Sequence, residues 1–320
     1  MFAIHCSDDG ALSWAETPDP ELGPGELVVQ VAATAVNRAD LLQRQGHYPP
    51  PPGASSILGL EAAGSVLAVG EEVDGWSVGD RCMALLPGGG YAQRVAVDAR
   101  HVLPWPEGCD AVQAAAIMEA YVTAYLNLVE LGSLSVGERV LVHGASGGVG
   151  SAAVQLANEL GAVVWATARP SKTEQVSALG AARVFDYLAP DVDAQLREAG
   201  HVNVILDVLG AKGLASNLAL LAPDGRLLLL GLLGGRRGEI DLLPLLTQRL
   251  TVRGCTLRAM PAERKGELIA ACGRELIPRI EDGRLRPVVH RSFPITEAEA
   301  AHACMQAGEH VGKLVLEVPA

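Results

Sequence analysis

The sequence predicts an α/β protein with two domains, one rich in β-strands and one built on a parallel sheet with helices on both faces. The chain has 320 residues, which is enough for two domains at roughly 150 residues each. Residues 26–36 and 61–70 are short β-branched runs bounded by Gly and Pro, as in β-strands. Between residues 138 and 231, strand and helix patterns alternate at the spacing of βαβ units, which form parallel sheets.

The composition is that of a folded, acidic protein. Apolar residues make up 49% and charged residues 19%, whereas disordered chains are poor in apolar and rich in charged residues. The formal net charge of −12 disfavours binding to nucleic acid or to an acidic membrane surface. We find no apolar run of the roughly 18–20 residues that a membrane helix needs, and no secretory signal pattern at residues 1–10. A cytoplasmic location is expected.

The six cysteines are scattered along the chain, without a Cys-x-x-Cys pair or a Cys/His cluster. This spacing predicts no metal site, no redox dithiol and no disulfide framework. Each thiol is interpreted as a small, buried apolar side chain.

The elements follow from local patterns in chain order. Turn signals rich in Gly and Pro recur through the first 115 residues, which indicates an irregular β domain, and residues 112–131 carry the apolar spacing of a helix. Ser171, with Glu174 three residues later, has the pattern of a capping box at a helix start. Strands are predicted at 138–144, 162–168, 182–187, 202–208, 226–231 and 251–257, and helices at 148–161, 171–180, 191–200 and 212–222. The tail from residue 260 is predicted as helix, extended segment, helix and strand, unlike either half before it.

A glycine-rich loop carries the strongest chemical signal. A predicted strand leads into Ala145-x-Gly147-x-x-Gly150, a variant of the dinucleotide-binding fingerprint, and a predicted helix follows. Glycine lets the backbone approach a pyrophosphate, and the helix N-terminus favours its negative charge. The alternative is a simple tight turn. We therefore predict a Rossmann domain whose pyrophosphate loop includes Ser146, Gly147, Gly148 and Val149.

The end of the next strand indicates the cofactor. An NAD-selective site usually carries Asp or Glu there, which binds the ribose 2′-hydroxyl. This sequence has Arg169 and Lys172 instead, and cations of this kind bind a 2′-phosphate. The alternative is a pair of surface charges, but cations at a helix N-terminus are unfavourable unless an anion is bound. We therefore predict NADPH as the cofactor.

Several motifs in order resemble one family. Residues 59–73 match the pattern G-H-E-x-x-G-x5-G-x2-V of the medium-chain dehydrogenases/reductases at all but one position, and 88–93, 143–150 and 311–318 match further motifs. Together they resemble the zinc-free quinone oxidoreductases, the zeta-crystallin branch. Residues 37–64 are especially similar to the branch of the tumour-suppressor-inducible quinone oxidoreductase.

The departures from the zinc-binding members of that family concern two ligands. Leu60 stands at the position of the motif's His, and Asn37 at that of a zinc-ligating Cys. Leu cannot ligate zinc and Asn is a poor ligand for it, so Lewis-acid polarisation by zinc is not expected here. This favours an acceptor that needs less activation, such as a quinone or a conjugated enone.

The resemblance also implies the architecture. Residues 1–117 and 260–320 would form a GroES-like domain, and residues 118–259 the inserted Rossmann domain, with the active site in the cleft between them. A homodimer, or a tetramer, would form through the sheet edge near 251–257, because an exposed edge strand invites pairing.

Residue roles are carried over position by position. Tyr48 matches a tyrosine beside the nicotinamide and substrate, with a half-buried loop tyrosine as the alternative, and Asn37 would orient the substrate or nicotinamide unless it only stabilises a turn. Tyr187 would lie at the adenosine end, unless it belongs to the sheet core. The remaining cofactor residues implied by the resemblance are Thr123, Gly231, Leu232, Leu233 and Gly312, the last with Lys313 beside it.

The predicted function is zinc-independent hydride transfer from NADPH to a quinone. One alternative is reduction of an enoyl or alkenal substrate, and another is a non-catalytic, crystallin-like NADPH-binding protein. The sequence shows no evident buried general acid, so the proton is expected from solvent or Tyr48. Asp207, at a strand end, is interpreted as structural, and His143 is expected to satisfy backbone groups.

Overall fold

A computed structural model describes residues 1–7 and 9–319. The chain divides into two units. The first unit combines Met1–Val122 with Leu257–Ala320, and the second is the continuous segment Thr123–Thr256. Two separate stretches of chain therefore build the first unit.

The first stretch is mostly β-strand, in keeping with its dense turn signals. Its strands are β1 (Phe2–Cys6), β2 (Leu12–Glu16), β3 (Glu26–Val36), β4 (Glu61–Val69), β5 (Arg81–Leu85), β6 (Arg94–Asp98) and β7 (Val102–Pro104). Its helices are α1 (Arg38–Arg44), α2 (Ala111–Ala114) and α3 (Met118–Tyr125), the last of which continues into the second unit.

The second unit alternates strands and helices as predicted. Its elements are β8 (Arg139–Val142), α4 (Gly148–Glu159), β9 (Val163–Ala168), α5 (Thr173–Ala178), β10 (Arg183–Asp186), α6 (Val192–Ala199), β11 (Val202–Asp207), α7 (Ala211–Leu220), β12 (Leu221–Leu229), α8 (Leu243–Thr247) and β13 (Thr251–Gly254). All six strands are parallel, in the order β10-β9-β8-β11-β12-β13. The chain steps outward from β8 in both directions, which is the doubly wound Rossmann topology.

The last stretch returns to the first unit. It consists of α9 (Ala262–Glu281), β14 (Val289–Pro294), α10 (Ala298–Ala307) and β15 (Lys313–Glu317). β15 pairs antiparallel with β3, with Leu314 opposite Val36, and completes a seven-stranded sheet of order β14-β15-β3-β4-β5-β7 in which β6 also pairs with β3. This pairing explains why the tail sequence resembles neither region before it.

Each unit has its own apolar core. In the first unit Leu27 and Val31 of β3 pack in one buried cluster with Leu314 of β15. In the second unit, Leu141 and Ile205 from neighbouring strands lie in a separate cluster. Burying a Val, Leu or Ile side chain contributes roughly 1.5–3 kcal/mol, so β15 is held to β3 by packing as well as by hydrogen bonds.

Two predicted helices differ from the structure. The helix predicted at 112–131 is interrupted after α2, and its last part, Leu126–Leu131, is a π-helix because Gly132 N donates to Asn127 O, five residues back. The capping box predicted at Ser171 is wrong. Pro170 begins a 3₁₀ turn, Pro170–Lys172, so Ser171 lies inside a helical turn rather than ahead of one.

Other differences are smaller. β12 begins at Leu221, five residues before the strand predicted from residue 226, and its pairing with β11 shifts register there. β13 ends at Gly254 instead of residue 257. The interpretation of every thiol as buried is wrong for Cys6, which is exposed because it lies at the end of β1.

One apolar segment matters for the membrane prediction. Ala111–Leu131 is long and apolar enough to cross a membrane by length and composition, which corrects the statement that no such run exists. However, 72% of its apolar window is buried inside the protein, as in the core helix of a folded domain.

Candidate active site and cofactor-binding residues

The glycine loop links β8 to α4 in the second unit. Gly147 N donates to Gly144 O at 3.0 Å, and α4 begins at Gly148 with Gly147 as its N-cap. A Cβ at Gly150 would lie 2.2 Å from Gly144 O, so only glycine allows this approach of helix to loop. Ser146 to Val149 are half-buried, and the first-turn N–H groups of α4 have no partner within the helix. The loop therefore fits a pyrophosphate.

Lys172 reaches back to this loop. Its ammonium lies 3.3 Å from Ser146 Oγ, and the residue is only 6% exposed. A surface charge would extend into solvent, so the alternative of a simple surface cation does not describe Lys172. A buried ammonium beside the pyrophosphate loop provides a fixed positive charge for a phosphate.

Arg169 and Tyr187 form the neighbouring group. Arg169 Nε donates to Tyr187 Oη at 2.9 Å, across the ends of β9 and β10. Tyr187 is exposed, so it does not belong to the sheet core. Asp186 is the adjacent acid, and its carboxylate accepts from Leu188 N at 2.8 Å. The guanidinium and the phenol are thus paired at the position where the sequence predicts the 2′-phosphate.

Buried side chains form a hydrogen-bond network between strand ends next to the glycine loop. His143 contacts Thr167 Oγ1 at 3.1 Å and Asn217 Oδ1 at 2.8 Å, and Asn217 donates to Asp207 Oδ1 at 3.2 Å. The expectation that His143 satisfies backbone groups is therefore wrong, because its partners are side chains. Burial lowers the pKa of His143. Asp207 accepts from Leu209 N and Gly210 N, which gives it a structural role.

Other predicted cofactor residues lie at positions open to a ligand. The Thr123 hydroxyl on α3 is buried and has no hydrogen-bond partner among the described residues, so a ligand group would satisfy it. Leu232 and Leu233 follow β12 and have exposed side chains, while Gly231 N donates to Asp207 O and Leu233 N to Val208 O at the end of β11. These residues, together with the loop and Lys172, fit a nicotinamide dinucleotide.

In the first unit, Asn37 joins a buried charge cluster. Its Nδ2 donates to Glu61 Oε1 at 3.0 Å and to Ala35 O at 3.1 Å, and Lys313 Nζ donates to its Oδ1 at 2.6 Å. Lys313 Nζ also lies 2.7 Å from Glu61 Oε1 and 3.1 Å from Val36 O. Both amide protons of Asn37 are thus engaged within the protein, and one lone pair of Oδ1 remains to orient a ligand.

Gly312 has a backbone reason to be glycine. Its φ is +83°, and a Cβ there would lie 2.1 Å from Val288 O. The tight turn leads directly into Lys313 at the start of β15. Its predicted contact with the cofactor stays a prediction.

Asp40 lies on α1 beside this cluster. Its carboxylate accepts from Asn37 N at 2.7 Å, from Gly59 N at 3.0 Å and from Tyr91 Oη at 3.2 Å. Burial raises the pKa of Asp40 to about 6. Tyr91 Oη also lies 3.1 Å from His302 Nε2, whose pKa burial lowers to about 4.

Arg258 fixes the loop that carries Tyr48. Its guanidinium carbon lies 5.2 Å from the centroid of the Tyr48 ring, and one Nη donates to Tyr48 O at 3.3 Å. The other nitrogens donate to Gln43 Oε1 and Pro87 O, each at 2.7 Å. Tyr48 is half-buried, as its alternative interpretation states, but a cation–π contact orients its ring.

Sequence reasoning missed Glu61, Glu119 and Arg258. Glu61 is fully buried, and Glu119 N donates to Glu61 Oε2 at 2.8 Å. The sequence did carry a signal for Glu61 and Glu119, because both are acids within apolar runs and a buried acid needs a partner. Arg258 carried no such signal, since its partners lie more than 170 residues away.

Comparison with known proteins gives the family. Residues 23–107 match the alcohol dehydrogenase GroES-like domain and residues 179–316 match a zinc-binding dehydrogenase family. The quinone oxidoreductase from Thermus thermophilus, solved also in complex with NADPH, is 36% identical with a TM-score of 0.85, over 99% of this chain and 100% of that one. The chain belongs to the medium-chain dehydrogenase/reductase superfamily.

The medium-chain dehydrogenase/reductase fold was predicted and is confirmed, with its GroES-like domain and its Rossmann-like parallel sheet. Although one matched family is described as zinc-binding, residues 1–7 and 9–319 contain no group of three or more His, Cys, Asp or Glu that could hold a metal ion.

Enoyl reductases are also similar to this chain. The CurK enoyl reductase is 30% identical with a TM-score of 0.87, over 99% of each chain. The polyketide synthase GfsB of Streptomyces halstedii is 37% identical over 309 residues. That match covers 96% of this chain but 5% of GfsB, so the chain corresponds to a small part of that synthase.

Proposed function

We propose that the protein is an NADPH-dependent quinone reductase. The observation that carries the cofactor choice is Lys172, a buried ammonium 3.3 Å from Ser146 Oγ of the pyrophosphate loop, with Arg169 paired to Tyr187 nearby. Two cations and a phenol at this strand end favour a 2′-phosphate, because an NAD-selective site usually carries Asp or Glu there. The 36% identity to a quinone oxidoreductase solved with NADPH supports the same choice.

Each site residue then has a defined task. The loop N–H groups and Lys172 would bind the phosphates, and the unpartnered Thr123 hydroxyl would bind the nicotinamide end. Bound NADPH supplies a hydride, which is the redox chemistry of the reaction. The phenol of Tyr48, oriented by Arg258, would donate a hydrogen bond to an acceptor carbonyl oxygen. Asn37 keeps its orientation through Glu61 and Lys313.

A second acceptor class is supported by the comparisons. The CurK structure is an enoyl reductase, and a conjugated enone presents the same carbonyl-linked double bond as a quinone. Alcohol dehydrogenation commonly uses a metal ion to polarise the reacting oxygen. Neither a quinone nor a conjugated enone needs polarisation of that strength. Reduction of a conjugated enone or enoyl thioester is therefore the second candidate.

The deciding experiment follows the nicotinamide absorbance with NADPH and with NADH, against a panel of quinones and a panel of conjugated enones. Rapid NADPH oxidation by quinones supports the proposal, and turnover confined to enones supports the second candidate. Tight NADPH binding without turnover on either panel would overturn both and favour a crystallin-like binding role. We also propose a cytoplasmic homodimer that pairs through the exposed edge strand β13.

A further inference from the structure

Glu119 is a half-buried acid in an otherwise apolar helix, α3. Its backbone N–H is bonded to Glu61 Oε2 at 2.8 Å, which fixes the start of α3 beside the Asn37–Glu61–Lys313 cluster. Among the described residues, neither carboxylate oxygen of Glu119 has a hydrogen-bond or ion-pair partner. A half-buried carboxyl group without such a partner among the described residues invites a functional explanation.

The charges around Glu119 favour its neutral form. The Glu61 carboxylate on β4 pairs with the Lys313 ammonium on β15 at 2.7 Å, and both side chains are buried. Asp40 on α1 adds a second acid, while Lys265 on α9 and Arg258 are cations facing the same group. The Lys265 ammonium is engaged by Arg258 O at 3.1 Å and the Arg258 guanidinium by three other oxygens. Burial and the charge of Glu61 together raise the pKa of Glu119 to about 8.

Glu119 shares a helix with Thr123, whose hydroxyl is open to a ligand. Glu119 and Thr123 are four residues apart on α3, so their side chains share one helix face. The Thr123 hydroxyl on that face is buried and lacks a partner among the described residues, as expected of a group that bonds to a bound molecule. A proton on Glu119 is therefore held one helical turn from this hydroxyl, at a half-buried position that solvent can resupply.

We propose that Glu119 is the general acid of the reduction, and this inference rests on the proposed function. After a hydride reaches the β-carbon of a conjugated enone, the π-electron pair shifts to give an enolate. The O–H bond of Glu119 breaks, a C–H bond forms at the α-carbon, and Glu119 is left as a carboxylate that water reprotonates. For a quinone, the same proton would go to oxygen.

The two acceptors respond differently because proton transfer to carbon is slower than to oxygen. Glu119→Gln keeps the size of the side chain but removes the acid. We expect kcat for enone reduction to fall about a hundredfold, within the range for loss of a general acid, and quinone reduction to change by less than about threefold. In the unaltered protein, enone kcat/KM should fall as pH rises through about 8, because the acid must be protonated.

The test needs a readout that does not depend on turnover. Infrared difference spectra of the protein without added cofactor, taken across pH, should show a protonated carboxyl that is lost near pH 8 and absent in Glu119→Gln. The matched control is Glu107→Gln, an exposed acid of the same unit, which should leave spectrum and kinetics unchanged. Glu119→Asp should restore part of the enone activity.

Three results would overturn the role. The first is a carboxyl group of Glu119 that titrates below pH 6. The second is a kcat for enone reduction in Glu119→Gln that stays within threefold of that of the unaltered protein. The third is an NADPH Kd raised more than tenfold by Glu119→Gln, which would make Glu119 a binding residue. If the unaltered protein reduces neither acceptor, the proposed function fails, yet the infrared titration still decides whether Glu119 holds a proton at neutral pH.

Discussion

The glycine loop of the second unit and the charge cluster of the first unit are built in opposite ways. The loop comes from consecutive residues, 144–150, and works through backbone N–H groups and the small size of glycine. The cluster joins Asn37, the N-cap of α1, with Glu61 of β4 and Lys313 of β15, and works through buried charge. A site built from backbone N–H groups therefore depends on steric fit, whereas a buried-charge site depends on a partner for every charge.

We expect the largest loss of stability from a substitution in the Asn37–Glu61–Lys313 cluster. Lys313→Met removes the only cation within ion-pair distance of Glu61 among the described residues and leaves a buried, uncompensated carboxylate. We expect the first unit to lose roughly 3–5 kcal/mol of stability. Chemical denaturation, followed by Trp fluorescence, measures the loss. Arg249→Met breaks an exposed pair with Asp224 and should leave the midpoint unchanged, and an equal shift in both variants would refute the importance of burial.

Cofactor binding by the glycine loop should be lost through a steric clash alone. Gly150→Val places a Cβ 2.2 Å from Gly144 O and forces α4 away from the loop. We expect the NADPH Kd, measured by fluorescence titration, to rise at least about a hundredfold, since ~2.7 kcal/mol of binding is lost with the geometry. Gly254→Ala is the control, because a Cβ at Gly254 meets nothing within 4 Å. Normal binding by Gly150→Val would show that the loop does not hold the pyrophosphate.

Cofactor choice depends on the one side-chain charge beside the glycine loop, the Lys172 ammonium 3.3 Å from Ser146 Oγ among the described residues. Lys172→Met should raise the NADPH Kd about ten- to a hundredfold, the value of one lost charge-assisted hydrogen bond, and change the NADH Kd much less. Arg169→Ala should reduce the same preference. Equal losses for both cofactors would assign Lys172 to the pyrophosphate instead of the 2′-phosphate. Titration of both nucleotides against each variant distinguishes the two.

The smallest effect on stability is expected at the sheet edge. Val252 on β13 is 38% exposed, so Val252→Lys should leave the denaturation midpoint nearly unchanged. If β13 pairs with a second copy, the charge blocks the edge and sedimentation should show a monomer. An unaltered mass would exclude this edge as the interface.

The same contrast explains what the sequence could predict. The loop was predictable because its strand, glycines and helix are contiguous, and because the cations that follow lie within 30 residues of it. The parallel sheet followed from βαβ spacing. The GroES-like domain and the return of the tail depended on the family resemblance, since nothing local in residues 313–317 indicates a partner in residues 26–36.

The charge cluster was only partly visible. Asn37 was identified as an altered ligand position, but its partner Lys313 is 276 residues away and Glu61 is 24 residues away. Local rules also failed where two signals competed, as at Pro170, whose fixed φ started a helical turn ahead of the capping pattern of Ser171. Long-range pairing of charges is decided by the tertiary fold, which a single sequence does not reveal.

The return of β15 to β3 has a consequence for synthesis. A ribosome adds β3 well before β15, so the Rossmann segment between them has all its strands before the first unit has all of its own. Until Lys313 emerges, Glu61 has no ammonium to neutralise it, and the early strands keep one edge of β3 open. The first unit of the nascent chain therefore depends on β15 to close its sheet, whereas the Rossmann segment can complete its own sheet sooner.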